Sequence, residues 1–158
     1  METKENLKVY MPHMDVLFEN LFTEFQQQPF YTRNDVPNIA GIYVFYKGEE
    51  PIYVGRAGKI RKRIQGHTRP SSGSESANFA FNLARFELDE KYSGTKLGRK
   101  EMMKDKDFVK VFSSHKTDLY ASKIRCIAIE NDVIQTMFEP YLAVKLGTYP
   151  GNNSFENH

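Results

Sequence analysis

Apolar and polar positions along the chain follow two periodicities, and these divide it into helices and strands. Met14, Leu17, Phe18, Leu21, Phe22 and Phe25 recur at three- and four-residue steps, which predicts an amphipathic helix from Asp15 to Phe25. Gln26 to Gln28, then Pro29 and Pro37, mark its exit and a connecting loop. Gly41 to Lys47 reads Gly-Ile-Tyr-Val-Phe-Tyr-Lys, rich in β-branched and aromatic types, and predicts a strand. Gly48-Glu49-Glu50 predicts a turn and Pro51 to Gly55 a second strand, so the two form a hairpin. A basic helix is expected from about Lys59 to Gly66, then a mobile Ser/Gly/Pro loop from Thr68 to Ser76. Ala77 to Glu90 reads as helix with Phe79, Leu83 and Phe86 inward.

Residues 91–118 have the weakest pattern, being lysine-rich and broken by Gly94 and Gly98; a short helix near Arg99–Asp105 and a segment around Phe108–Phe112 are expected there. Ser122 to Ile129 reads as a third strand. Asn131 or Asp132 can cap a last helix with Val133, Ile134, Met137, Phe138, Tyr141 and Leu142 on one side. Pro140 inside it costs about 3 kcal/mol in a regular helix interior, so a kink is expected. No internal repeat or second domain is visible. Residues 1–36 read as a helical extension packing on a domain at 37–158, with a loose lead-in over residues 1–12.

Composition adds limits. The 158 residues suit one domain, and the aromatic share of 13%, all Phe and Tyr, is enough for a sizeable core. A net charge of +2 permits nucleic-acid binding without arguing for it, so any binding face must come from local clustering. The lone cysteine, Cys126, lies in the apolar run Ile124–Ile129; it reads as a buried hydrophobe and cannot form an intramolecular disulfide. No membrane-length apolar run exists, so a soluble, cytoplasmic protein in a reducing compartment is expected, with no membrane partner.

Three places could carry chemistry. If Lys47 faces Pro51 across the hairpin, Tyr43 faces Gly55, and Tyr43, Tyr53 and Gly55 share one side of the sheet, with open space beside the Tyr43 hydroxyl. In the basic helix, Ile60 and Ile64 turn inward, while Arg63 and His67 lie four apart on a neighbouring face. An arginine there can stabilise charge on a phosphate in flight, and a histidine can move a proton near neutral pH. On the last helix, Glu139 flanks the apolar stripe, where a half-buried carboxylate with waters can hold Mg²⁺.

The order Gly41-Ile42-Tyr43, Tyr53-Val54-Gly55, Arg63 and His67, a helical glutamate and a terminal asparagine resembles the motif series of the GIY-YIG endonuclease family. The likeness spans roughly residues 35–155; in the bacterial excision-repair branch the position of Arg56 is usually lysine. It implies an α+β fold, a small three-stranded, mainly antiparallel sheet flanked by helices. It implies divalent-metal-dependent hydrolysis of DNA phosphodiester bonds. Tyr43, Tyr53, Arg63, His67, Glu139 and Asn153 would be the catalytic set, with Glu139 holding Mg²⁺ or Mn²⁺. Glu130 competes with Glu139 for the metal, but it ends the third strand whereas the family's glutamate lies in the following helix; Asn152 competes with Asn153, which is favoured. Tyr43 would deprotonate water, directly or with His67, once nearby cations had lowered its pKa. Arg56, Lys59, Arg61, Lys62, Arg99 and Lys100 would contact DNA, double-stranded or branched, through its phosphates. The protein would act as a monomer or homodimer. The alternative is a module of this fold that binds nucleic acid, or another partner, without cleaving it. The nuclease reading requires the two phenols, Arg63 and Glu139 to converge on one phosphate-sized pocket.

Overall fold

In the computed structural model, residues 11–92 and 94–155 are described. The expectations for residues 1–10, and any role for Glu156 or His158, lie outside them. A 3₁₀ turn, Met11–His13, leads into α1 (Met14–Gln27), followed by β1 (Gly41–Lys47), β2 (Glu50–Ala57), α2 (Ile60–Thr68) and α3 (Asn78–Glu87). Then come α4 (Asp89–Tyr92), α5 (Arg99–Met102), α6 (Lys106–Tyr120), β3 (Lys123–Ala128) and α7 (Asp132–Leu146). The sheet has the order β2-β1-β3, antiparallel throughout. This is the α+β arrangement expected, with β2 as one edge and β1 buried between its neighbours.

Alternation along β1 builds a core on each side of the sheet. Tyr43 and Phe45, with Ile124 and Cys126 of β3, pack beneath α2, α3 and α6 through Ile60, Ile64, Phe79, Phe108 and Phe112. Ile42 and Val44, with Val54 and Ile127, pack beneath α1 and α7 through Phe25, Phe138 and Leu142. The hairpin closes differently from the expectation. Lys47 pairs with Glu50, not Pro51, and a shift in register between Phe45 and Tyr46 lets Phe45 pair with Tyr53. This β-bulge restores the alignment of Tyr43 with Gly55.

Three further expectations are corrected. Residues 106–120 form one continuous helix, α6, capped by Asp105, whose side chain accepts from the Asp107 N–H. Its buried stripe is Phe108, Phe112, Lys116 and Leu119, and the lysine in an apolar position hides the period. Phe86 is 85% exposed because α3 turns Ala80, Phe81 and Ala84 inward, where small residues admit α6 closely. The loop after α2 is tied down: Lys116 Nζ donates to the carbonyls of Pro70 and Ser72 at 2.7 and 2.9 Å. In α7, Asn131 is the cap, accepting from the Val133 and Ile134 N–H groups, and the helix continues through Pro140 without a break. Among the described residues no helix is long and apolar enough to cross a membrane.

Candidate active site

The site begins with a glycine. A Cβ at position 55 would overlap the ring and hydroxyl of Tyr43, so only glycine lets the β1 phenol lie across β2. The Tyr43 hydroxyl then lies 2.8 Å from Nε2 of His67, brought over by α2. His67 is fully buried, with its ring 6.0 Å from those of Tyr43 and Tyr53 and 5.9 Å from that of Phe45. Tyr53 in turn stacks on Phe79 at 4.1 Å. This aromatic enclosure, and secondarily the charge of Arg63, push the His67 imidazole down to about 3. His67 is therefore neutral at pH 7, not a group that titrates near neutrality as its residue type suggested. Among the described residues its Nδ1 has no hydrogen-bond partner.

Burial likewise raises the Tyr43 phenol well above the ordinary range; the Tyr53 and Glu139 charges push the same way, and Arg63 opposes them. The expected lowering of this pKa by neighbouring cations does not occur in the protein alone. Tyr53 is raised too, by burial and then by Glu139, again against Arg63. Each phenol thus feels both Arg63 and Glu139, although those residues come from helices on opposite faces of the sheet. Arg63 is partly buried and its Nη1 donates to the Ser76 carbonyl at 3.3 Å.

Glu139 reaches Arg56 on the edge strand, with 3.4 Å between Nε and Oε2. Burial raises its pKa, and Arg56 offsets part of the rise. Glu130 is exposed in the β3–α7 connection. Among the described residues no cluster of three or more His, Cys, Asp or Glu could cage a metal. A single half-buried carboxylate fits a cation that keeps most of its water and takes further oxygens from a bound phosphate, as Mg²⁺ does.

Asn153 grips the edge strand. Its Oδ1 accepts from the Val54 N–H at 2.9 Å and its Nδ2 donates to the Val54 carbonyl at 2.7 Å. The side chain is buried and serves as a strand substitute on the open edge of β2. Asn152 does the same less deeply, donating to the Ile52 carbonyl at 2.9 Å. Asn153 thus holds the edge of β2 through both polar atoms of its side chain.

The residues expected to meet nucleic acid divide. Arg61 Nε donates to the Val36 carbonyl at 2.7 Å. Arg99 donates to the Ser74 carbonyl and Asn78 Oδ1 at 2.6 and 2.7 Å, and its guanidinium lies 4.0 Å from the Phe81 ring centre. Both arginines are internal ties, not free contacts. Lys100 is exposed on α5. Arg56, Lys59 and Lys62 line a cleft of about 550 Å³ together with Arg63. That cleft also contains Arg69 and Ser76, which sequence reasoning passed over as loop residues.

The fold is a small α+β domain in which the cleft lined by Arg63 holds neither phenol nor Glu139, and the chain is similar to the endonucleases of the GIY-YIG family. No family model matches the chain. It is 45% identical over 38 residues to UvrABC system protein C of Fervidobacterium nodosum, a match covering 24% of this chain and 7% of that relative's length. It also overlaps the crystal structure of the GIY-YIG N-terminal endonuclease domain of UvrC from Thermotoga maritima, a point mutant bound to its catalytic divalent cation. That overlap covers 86% of this chain and 97% of that one, at 15% identity and a TM-score of 0.37.

Proposed function

We propose that this chain is a GIY-YIG endonuclease that hydrolyses DNA phosphodiester bonds with one divalent cation, Mg²⁺ or Mn²⁺, and works in the cytoplasm. The observation that carries the reading is the buried Tyr43–His67 pair at 2.8 Å, with Arg63 and Glu139 both acting on the phenol.

Arg63 would bind a non-bridging oxygen of the scissile phosphate through its planar fork of donors. Tyr53, whose hydroxyl has no partner among the described residues, would orient the attacking water or the phosphate. The Tyr43 phenol is held protonated, so it acts as a relay and not as a preformed base. Its oxygen takes a proton from the water while its own proton passes to Nε2 of His67, and the hydroxide attacks phosphorus. Bound phosphate would offset the charge of Arg63, the lesser of the two causes that depress the imidazole, while burial, the larger, remains. As the bond from phosphorus to the 3′ oxygen breaks, the proton would pass back from His67 through Tyr43 to that oxygen, which leaves as a 3′ hydroxyl. Relay by His67 requires its Nδ1–H tautomer. Glu139 would hold the cation, which supplies positive charge to the phosphate and the leaving oxygen.

The test is cleavage of supercoiled plasmid DNA in Mg²⁺ or Mn²⁺. Wild-type protein is expected to nick it, and EDTA to stop the reaction. Arg63→Ala is expected to lose on the order of 10²–10³ in rate, and Glu139→Gln and Tyr43→Phe to be at least as impaired. A wild-type protein that binds DNA yet never nicks it with either metal would leave the non-cleaving module in its place.

A further inference from the structure

The cleft beside Arg63 is more basic than the motif residues require. It lies between α2 and the loop at 69–76, and its walls carry Arg56, Lys59, Lys62, Arg63 and Arg69 but no carboxylate. Arg56 is matched by Glu139 and Arg63 by the Ser76 carbonyl. Among the described residues Lys59, Lys62 and Arg69 pair with no carboxylate, and all three are exposed. The loop that forms the far wall is held in place. The carbonyls of Pro70, Ser72, Ser74 and Ser76 are bound by Lys116, Arg99 and Arg63, cations from α6, α5 and α2. Those donors neutralise the loop's negative dipoles, which would otherwise repel an anion; Arg69 itself ends α2, two turns after Lys62, with its N–H held by the Gln65 carbonyl at 2.9 Å. Surface lysines placed for solubility would not require a wall braced by a buried lysine.

We infer that this cleft is a second phosphate seat. Lys59, Lys62 and Arg69 bind backbone phosphates next to the scissile one, which Arg63 takes. The inference rests on the nuclease reading for which phosphate is cut, but not for the binding itself. A seat of this kind recognises phosphodiester charge and is blind to base sequence. It gives a chain with a net charge of only +2 a local anion-binding track leading into the site.

The experiment is fluorescence anisotropy of the full chain with a labelled DNA duplex in EDTA, across a salt series, so that no turnover enters. Arg69→Ala and Lys62→Ala are each expected to weaken binding several-fold at low salt and to lower the slope of log affinity against log salt by about 0.9, one counterion apiece. Arg69→Glu should lower affinity further, and thermal melts establish that each exposed substitution leaves the fold intact. Lys110→Ala, exposed on α6 outside the cleft, should match wild type. Wild-type slopes in Arg69→Ala and Lys62→Ala, or an equal fall in Lys110→Ala, would overturn the seat. The two readings fail separately. A protein that never cuts but loses slope on Arg69→Ala keeps the seat and loses the nuclease; one that cuts while Arg69 is silent keeps the nuclease and loses the seat.

Discussion

The two sides of the sheet are built from the same strands yet obey different rules. Beneath α1 and α7 the core is Ile42, Val44, Val54, Ile127, Phe138 and Leu142, and no His or Lys is buried among them. Gln135 donates to the Ile129 carbonyl, while the partly buried Arg125 lies 4.1 Å from the Phe30 ring centre with its Nε unpartnered among the described residues. Beneath α2, α3 and α6 the same depth holds His67, Tyr43 and Lys116. A buried imidazole with an unpartnered nitrogen costs stability that packing alone would not ask for. Among the described residues each side carries one unpartnered buried nitrogen, but near-full burial of a basic side chain, His67 and Lys116, occurs only beneath α2, α3 and α6, and such costly burial concentrates where function lies.

Adjacent residues of β1 give the sharpest way to break this contrast, because Ile42 and Tyr43 point to opposite sides. Ile42→Ala removes a fully buried side chain and should cost about 2–5 kcal/mol, while the fraction that remains folded still cuts DNA. Tyr43→Phe keeps the ring and removes one hydrogen bond, so it should cost about 1 kcal/mol and abolish cutting. Urea unfolding paired with single-turnover cleavage reads both numbers. Equal destabilisation by the two changes, or cleavage surviving in Tyr43→Phe, would erase the distinction between the sides.

The next effect is on acid stability. His67 protonates at about 3 in the folded protein but near 6.5 in an unfolded chain. Below 6.5 only the unfolded chain takes up that proton, so its share of stability is intact above that pH and falls as pH drops toward 3. The folding constant should fall roughly tenfold per pH unit in this window from His67 alone. His67→Gln carries no such proton and should flatten the slope, whatever constant offset it adds. Melting curves from pH 7 to 4 measure this; parallel slopes in the two proteins would mean that the imidazole is not shielded by its aromatic neighbours.

What sequence could reveal follows the same division. The hairpin and the facing of Tyr43 and Gly55 were readable because strand alternation is a local property, and a bulge corrected the one-residue error at the turn. Arg63 and His67 were readable from helical spacing. The depressed pKa of His67 was not, since it is made by Phe45 and Tyr53 arriving from two other strands. Helix α6 was obscured by Lys116, whose reason for being buried is a set of carbonyls more than 40 residues away. Arg61 and Arg99 looked like phosphate contacts because a side chain bound to a backbone carbonyl leaves no trace in the order of residues. Arg69 was passed over because the residue that ends α2 reads in sequence as the start of a loop.

The smallest effect concerns the edge strand that both cores share. Asn153 and Asn152 use the same chemistry at different depths, 99 and 100 residues beyond their partners on β2. Asn153→Ala leaves the Val54 N–H and carbonyl without partners in a buried place, which should cost about 1–3 kcal/mol. Asn152→Ala uncovers an exposed carbonyl that water can satisfy, and should change stability by less than about 0.5 kcal/mol. Loss of cleavage in Asn153→Ala should follow from movement of β2, so lowering the temperature or adding a stabilising osmolyte should restore part of it. A catalytic amide would behave differently, with the rate lost under every condition while the melting temperature stayed put. That outcome would return Asn153 to the reacting centre and would mean that its grip on Val54 is released when substrate binds.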